Sequence, residues 1–149
     1  MSTPQQRLEA DVKTALKAGE KERTSTLRML LSEVKNESLL HGNEVDENRF
    51  VALVRKAIKQ RQEASTQFRA GGRAESADQE DREAVILAGY LPQAVSEEEL
   101  MAAIQALIAE RGLSGPAAMG QVMKEILGRF GSRADGAVVS RLARQALTP

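Results

Sequence analysis

The stretch Asp46-Glu47-Asn48-Arg49-Phe50-Val51-Ala52-Leu53-Val54-Arg55-Lys56-Ala57-Ile58, continuing to Gly71-Gly72, sets the fold class. Phe50, Leu53, Val54, Ala57, Ile58, Arg61, Ser65 and Phe68 keep a 3.6-residue period along it, the mark of a long helix with one face turned inward. Asp46 stands where the helix begins, and the glycine pair stands where a helix C-terminus belongs.

Working outward, the same grammar repeats. Thr3-Pro4-Gln5-Gln6 predicts a helix start: Thr3 can cap, Pro4 suits the first helical position, and Gln6 completes a capping box. That helix runs to about Ala18, with Leu8, Val12, Ala15 and Leu16 inward and Gly19 as its stop. A second helix spans about 21–41 on the stripe Leu27, Leu30, Leu31 and Val34, and Gly42 ends it. After the glycine pair, Ser76-Ala77-Asp78-Gln79 reads as another capping box, opening a helix that carries Val85, Ile86 and Leu87. It ends at Tyr90-Leu91-Pro92, since proline disfavours the helical conformation of the residue before it. Ser96-Glu97-Glu98-Glu99 opens a fifth helix, with Leu100, Ala103, Ile104, Leu107 and Ile108 inward and Arg111-Gly112 as its end. Two shorter helices, about 117–128 and 135–147, complete the chain, the last capped by Asp135. The expected architecture is all-α: an N-terminal bundle of long antiparallel helices over residues 1–91, and a small C-terminal three-helix domain over residues 93–149, divided at Pro92.

Composition agrees. Ala, Glu, Gln, Leu, Arg and Lys dominate, aromatics are 3% of 149 residues, and there is no cysteine. Disulfides, thiolate metal sites and thiol catalysis are thereby excluded, and a reducing compartment fits. The N-terminus reaches charged residues without an apolar core, so no secretory signal is expected, and no run nears the ~20 apolar residues that span a bilayer. The expectation is a cytoplasmic protein with no membrane association.

Catalytic motifs are sparse. His41, the single histidine, could share a helix face with Glu37 and Glu33, but two carboxylates and one imidazole make a poor metal site. It reads better as a cation near a helix C-terminus. No serine has a histidine beside it, and no phosphate-cradling glycine loop is present. Asp78, Glu80, Asp81 and Glu83 read as a solvated helix start. No catalytic residue, no metal and no cofactor is expected.

Cations are the stronger signal. The chain is neutral overall, yet from residue 111 onward six basic residues (Arg111, Lys124, Arg129, Arg133, Arg141 and Arg144) face two acids (Glu125 and Asp135), a net of +4, leaving −4 for residues 1–110. Lys124, Arg129 and Arg133, placed on or beside the loop joining the last two helices, are the leading candidates for phosphate contact, with Arg141 and Arg144 behind them. Phe130 is the lone aromatic there, which favours recognition of folded RNA by backbone and shape over base stacking. A secondary basic strip, Arg55, Lys56 and Lys59 with Arg61 beside it, reads first as an ion-pair face and second as a phosphate strip. A helix-turn-helix reader of DNA fits less well, because the glycine-rich loop 128–133 is long for that motif.

The order of motifs also resembles a known family. Lys21-Glu22-Arg23, Leu27-Arg28-Met29-Leu30, Arg61, Phe68, Gly72-Arg73, Tyr90-Leu91-Pro92-Gln93, Met119-Gly120-Gln121-Val122-Met123 and Arg133-Ala134-Asp135-Gly136 together resemble the GatB/YqeY family over essentially the whole chain. These small bacterial proteins share a domain with the tail of the B subunit of the tRNA-dependent Asp/Glu amidotransferase, and a related domain is appended to some glutaminyl-tRNA synthetases. The resemblance implies an all-helical fold and a tRNA-binding or tRNA-associated role in translation, with tRNA as partner. The alternative it implies is an adaptor that docks an amidotransferase or aminoacyl-tRNA synthetase. It carries the label of a carbon–nitrogen ligase with glutamine as amido-N donor. That label belongs to the larger complex, because the kinase-like ATP and ammonia-channel portion has no counterpart in these residues. Pro92, Gly120, Asp135 and Gly136 are read as architecture, the two glycines as points where a helix packs or turns closely.

Overall fold

A computed structural model describes residues 2–148. It contains seven α-helices and, among the described residues, no strand: α1 (Pro4–Lys17), α2 (Lys21–His41), α3 (Glu47–Ala70), α4 (Ala74–Ala88), α5 (Glu97–Arg111), α6 (Met119–Phe130) and α7 (Gly136–Leu147), with short 3-10 turns at Pro116–Ala118 and Gly131–Arg133. The chain divides between Leu91 and Pro92 into two compact units.

In unit 1, local chemistry sets the helix ends. Thr3 Oγ1 accepts from Gln6 N at 3.1 Å while Gln6 Oε1 accepts from Thr3 N at 3.0 Å, closing the capping box. Asp46 caps α3 by accepting from Arg49 N at 2.8 Å. Gly42 ends α2 with a φ of 70°, a left-handed conformation that glycine adopts without steric penalty. Two readings fail. Ser76 is not a cap: α4 starts two residues earlier, behind Arg73, whose N–H bonds to the Phe68 carbonyl at 2.8 Å and whose guanidinium lies 5.1 Å from the Phe68 ring. The Gly71-Gly72 turn is thus closed by Arg73, which leaves Ser76 inside the helix. At the other end α4 stops at Ala88, and the N–H groups of Gly89, Tyr90 and Leu91 bond three residues back, to Ile86, Leu87 and Ala88. Pro92, with no N–H to donate, follows this tightened turn.

The core of unit 1 is built on Leu8, Leu27, Leu30, Val34, Val54 and Leu87, each at most 2% exposed. Leu16, expected inside, is 54% exposed, and Val85 is 73% exposed, because α1 and α4 each turn only part of their apolar residues inward.

A polar seam joins α3 to α4. Arg61, half-buried on the apolar stripe, reaches Glu80 at 3.2 Å and Glu83 at 3.5 Å, and its Nη2 donates to Met29 Sδ of α2 at 3.4 Å. One helical turn on, buried Ser65 donates to Asp81; a second turn on, Arg69 bonds Asp81 at 2.6 Å and Asp78 at 2.9 Å. The acids read as a solvated helix start are therefore the partner strand of this seam. The Ser65 hydroxyl and then the Arg69 guanidinium hold the Asp81 carboxyl below its ordinary range.

The end of α4 is tied down separately. The Tyr90 hydroxyl donates to Asp11 Oδ2 of α1 at 2.5 Å, and its ring meets Phe50 of α3 edge-on, centroids 6.0 Å apart. Burial, then the bond to Asp11, pushes the phenol well above its ordinary range.

In unit 2, Ser96 caps α5 by accepting from Glu99 N at 3.1 Å, and Asp135 caps α7 by accepting from Ala137 N at 2.9 Å. Leu100, Ile104, Val122, Ile126, Val139 and Ala143 form the centre of its core.

Three outcomes test this description. Breaking the seam by Arg61→Ala strands two carboxylates and should cost about 3 kcal/mol, much of it regained in Arg61→Met/Glu83→Leu; urea unfolding measures both. Asp81 has a lowered folded pKa, so its contribution is present above the unfolded value near 3.8 and is lost as pH falls through the folded value. The gap in melting temperature between the wild type and Ser65→Ala should therefore close on acidification. Tyr90 has a raised folded pKa, so its contribution holds below pH 10 and is lost only as pH rises through the folded value. Tyr90→Phe should cost ~1–2 kcal/mol at neutral pH by the same unfolding assay.

Candidate nucleic-acid interface

All five tail cations proposed from sequence are exposed, but they do not form one patch. Lys124 lies in the middle of α6, not on the loop, because α6 runs through Gly128 to Phe130. Arg129, five residues on, points about 140° away around the same helix. Its guanidinium sits 5.1 Å from the Phe130 ring, and Phe130 is itself partly buried against the core of unit 2. The lone aromatic of this region is thereby engaged, which leaves no free platform for base stacking among the described residues of unit 2.

Arg133 closes the turn before α7. Its Nε donates to the Gln93 carbonyl at 3.4 Å and its own carbonyl accepts from Val95 N at 2.9 Å, so it also positions the segment leading into α5. Arg141 bonds Glu97 of α5 at 2.5 Å, and Arg111 bonds Glu125 at 3.0 Å. Arg144, one turn after Arg141, borders a shallow depression with Arg141, Gln145 and Thr148. Lys124 and Arg144 make no ion pair among the described residues.

The charge asymmetry also changes once counted by structural unit. Residues 92–149 hold six cations and six acids, because Glu97, Glu98, Glu99 and Glu110 of α5 join Glu125 and Asp135. Residues 1–91 hold fifteen of each. The +4 of the tail arises from a cut at residue 111, the end of α5, that separates cations from acids folded beside them.

In the basic strip on α3, Arg61 pairs with Glu80 and Glu83 of α4, while the other three cations differ in their surroundings. Lys56 lies close enough to Glu37 to help hold that carboxyl low, the main cause being the bond from Arg49 at 2.6 Å. Arg55 is half-buried and has a partner of its own, and Lys59 borders a groove beside Gln62, Glu63 and Thr66. His41 Nε2 lies 3.1 Å from Glu37, and no group of three metal-ligating side chains occurs among the described residues.

Gly120 and Gly136 are not close-packing points. A Cβ built on either meets nothing within 4 Å, and the same holds for Gly128. Gly131, read from sequence only as part of the glycine-rich loop 128–133, is constrained: it ends α6 with φ 58° and ψ −135°. The clefts flanking the start of α2 were also missed. Their sequence signal is Lys21 and Arg28, two turns apart on one face of α2, with Thr24 and Ser25 between them on that face.

Comparison with known proteins supports the order of motifs. The family described as Yqey-like protein matches residues 5–147. The chain belongs to the YqeY family. One relative, altered inheritance of mitochondria protein 41 of Lachancea thermotolerans, is 33% identical over 112 residues, which cover 73% of this chain and 60% of the relative. The chain thus spans about three fifths of that protein's length. Membership supports a domain like the tail of the amidotransferase B subunit. No helix among the described residues is long and apolar enough to cross a membrane.

Gly120→Ala and Gly128→Ala should each stabilise unit 2 by about 0.5–1 kcal/mol, since both glycines are helical and unconfined. Gly131→Ala should destabilise it by about 1 kcal/mol or more. Thermal melts of the three variants measure the difference in sign.

Proposed function

We propose that this YqeY-family protein is a non-catalytic, tRNA-associated accessory protein of the cytoplasm, contacting the tRNA backbone through unit 2. The supporting observation is that Lys124, Arg129 and Arg144 are exposed and hold no carboxylate, while Arg111 and Arg141 are spent on Glu125 and Glu97. Arg133 retains guanidinium N–H groups beyond its bond to Gln93. Such scattered cations suit phosphates spaced along a folded RNA better than a compact ligand. The mitochondrial name of the Lachancea thermotolerans relative belongs to that protein.

The non-catalytic reading rests on the perturbed titratable groups. Glu37, Arg69, Asp81 and Tyr90 each owe their shift to a structural partner or to burial, and the one hydroxyl of a serine among those partners, Ser65 on Asp81, is buried between helices. The purified chain, given glutamine and misacylated tRNA, should form no amidated product.

A second reading, an adaptor that docks an amidotransferase or an aminoacyl-tRNA synthetase through the N-terminal helices, is favoured by the apolar side chains that unit 1 leaves exposed.

Filter binding of bulk tRNA over a salt series tests the first reading. Affinity should fall as salt rises, and Lys124→Ala/Arg129→Ala/Arg144→Ala should make the logarithmic slope shallower by about 2–3. An unchanged slope would remove these residues from the interface.

A further inference from the structure

Two adjoining clefts flank the first turns of α2. One, about 530 Å³, is bordered by Leu16, Lys21, Thr24, Ser25, Arg28 and Met29. The other, about 460 Å³, shares Lys21, is bordered by Glu20, Glu22 and Arg23 as well, and extends to Arg82, Val85 and Ile86 of α4, so the uncompensated positive charge lies in the larger cleft. Among the described residues, unit 1 exposes five large hydrophobic side chains, and three of them, Leu16, Met29 and Val85, border these clefts. Exposed apolar groups gathered around a concavity mark an interaction surface more often than the same groups scattered singly.

The cations fix the sign of the partner. Arg82 is bonded to Glu22 at 3.0 Å and Arg23 serves the Tyr90 hydroxyl. Lys21 and Arg28 have no carboxylate among the described residues, and no acid borders the larger cleft. We propose that this paired cleft docks a helix of a partner protein that carries apolar side chains on one face and carboxylates beside them. This rests on the adaptor reading and gives it an address. The apolar face covers Leu16 and Val85, and the carboxylates meet Lys21 and Arg28.

Other occupants fit less well. An RNA backbone would use the two cations but would leave Leu16 and Val85 uncovered. The most acidic helix start in this chain, Glu97 to Glu99 on α5, cannot serve from a second copy. Glu97 is bonded to Arg141, and the apolar residues Leu100 and Ile104 behind it are buried.

The test uses the full chain, labelled with nitrogen-15, and a synthetic amphipathic helical peptide with leucines on one face flanked by glutamates. Amide shifts should concentrate at Leu16, Lys21, Ser25, Arg28 and Val85. Arg28→Glu and Leu16→Glu, both at exposed positions, should each weaken binding about tenfold, while a leucine-free glutamate peptide should leave the spectrum unchanged. Melting curves of the variants confirm that they fold. Shifts centred instead on Leu39 and Leu40, at the far end of α2, would keep the adaptor reading and overturn this cleft. Equal binding of the leucine-free peptide, displacement by tRNA, or a concentration-dependent dimer lost in Arg28→Glu would overturn it as well.

Discussion

Arg61 of α3 ties that helix to both α4 and α2. Its guanidinium is drawn into the helix packing, where a charge is tolerated only against close partners, and it has them in Glu80 and Glu83 of α4 and the Met29 sulfur of α2. Its Nε remains buried without a partner, a cost that a merely decorative surface pair would not carry. Arg61, Ser65 and Arg69 follow one another at four-residue spacing on α3 and meet α4 between Glu83 and Asp78, with Asp81 shared by Ser65 and Arg69. That is an antiparallel ladder, and sliding one helix along the other would disturb its contacts. Leucine and valine supply the bulk of the burial, but apolar contacts are non-directional. The rungs are what choose one register among several that would bury similar area.

Tyr90 has a comparable role at the end of α4. With aromatics at 3% of the chain, one phenol touches α1 through Asp11 and α3 through Phe50. A small helical core with few large side chains gains uniqueness from such a half-buried polar contact more than from added volume.

Helix ends were legible because capping is local. Thr3 with Gln6, Asp46, Ser96 and Asp135 each accept from an N–H two or three residues away, so the pattern is written within four letters. Ser76 carried the same letters and lost, since the bond from Arg73 N to the Phe68 carbonyl had already turned the chain. The seam was illegible for the opposite reason: its partners stand nine to twenty-two residues apart, and only the packing of α3 on α4 pairs them. The tail cations show the same limit. Their positions could be read, but whether each had a carboxylate nearby depended on how α5 folds against α6 and α7.

Neutrality within each unit changes what charge can be asked to do. A uniformly basic surface attracts any polyanion over a Debye length, about 8–10 Å at physiological salt. A neutral unit has no such far field, and its attraction must come from individual cations that folding leaves without a partner. For Arg141, binding a phosphate would first break the bond to Glu97, so part of the gain would be lost. Lys124 and Arg144 incur no such loss in unit 2, nor do Lys21 and Arg28 in unit 1. What separates these two pairs is their surroundings. Lys21 and Arg28 have Leu16 and Met29 beside them, half exposed, whereas Arg144 has Gln145 and Thr148. A cation among polar groups suits a hydrated phosphate, and a cation beside exposed leucine suits a carboxylate carried on an apolar helix. The fold therefore offers two chemically different surfaces on two separately packed units, and discrimination between an RNA and a protein partner needs no difference in net charge.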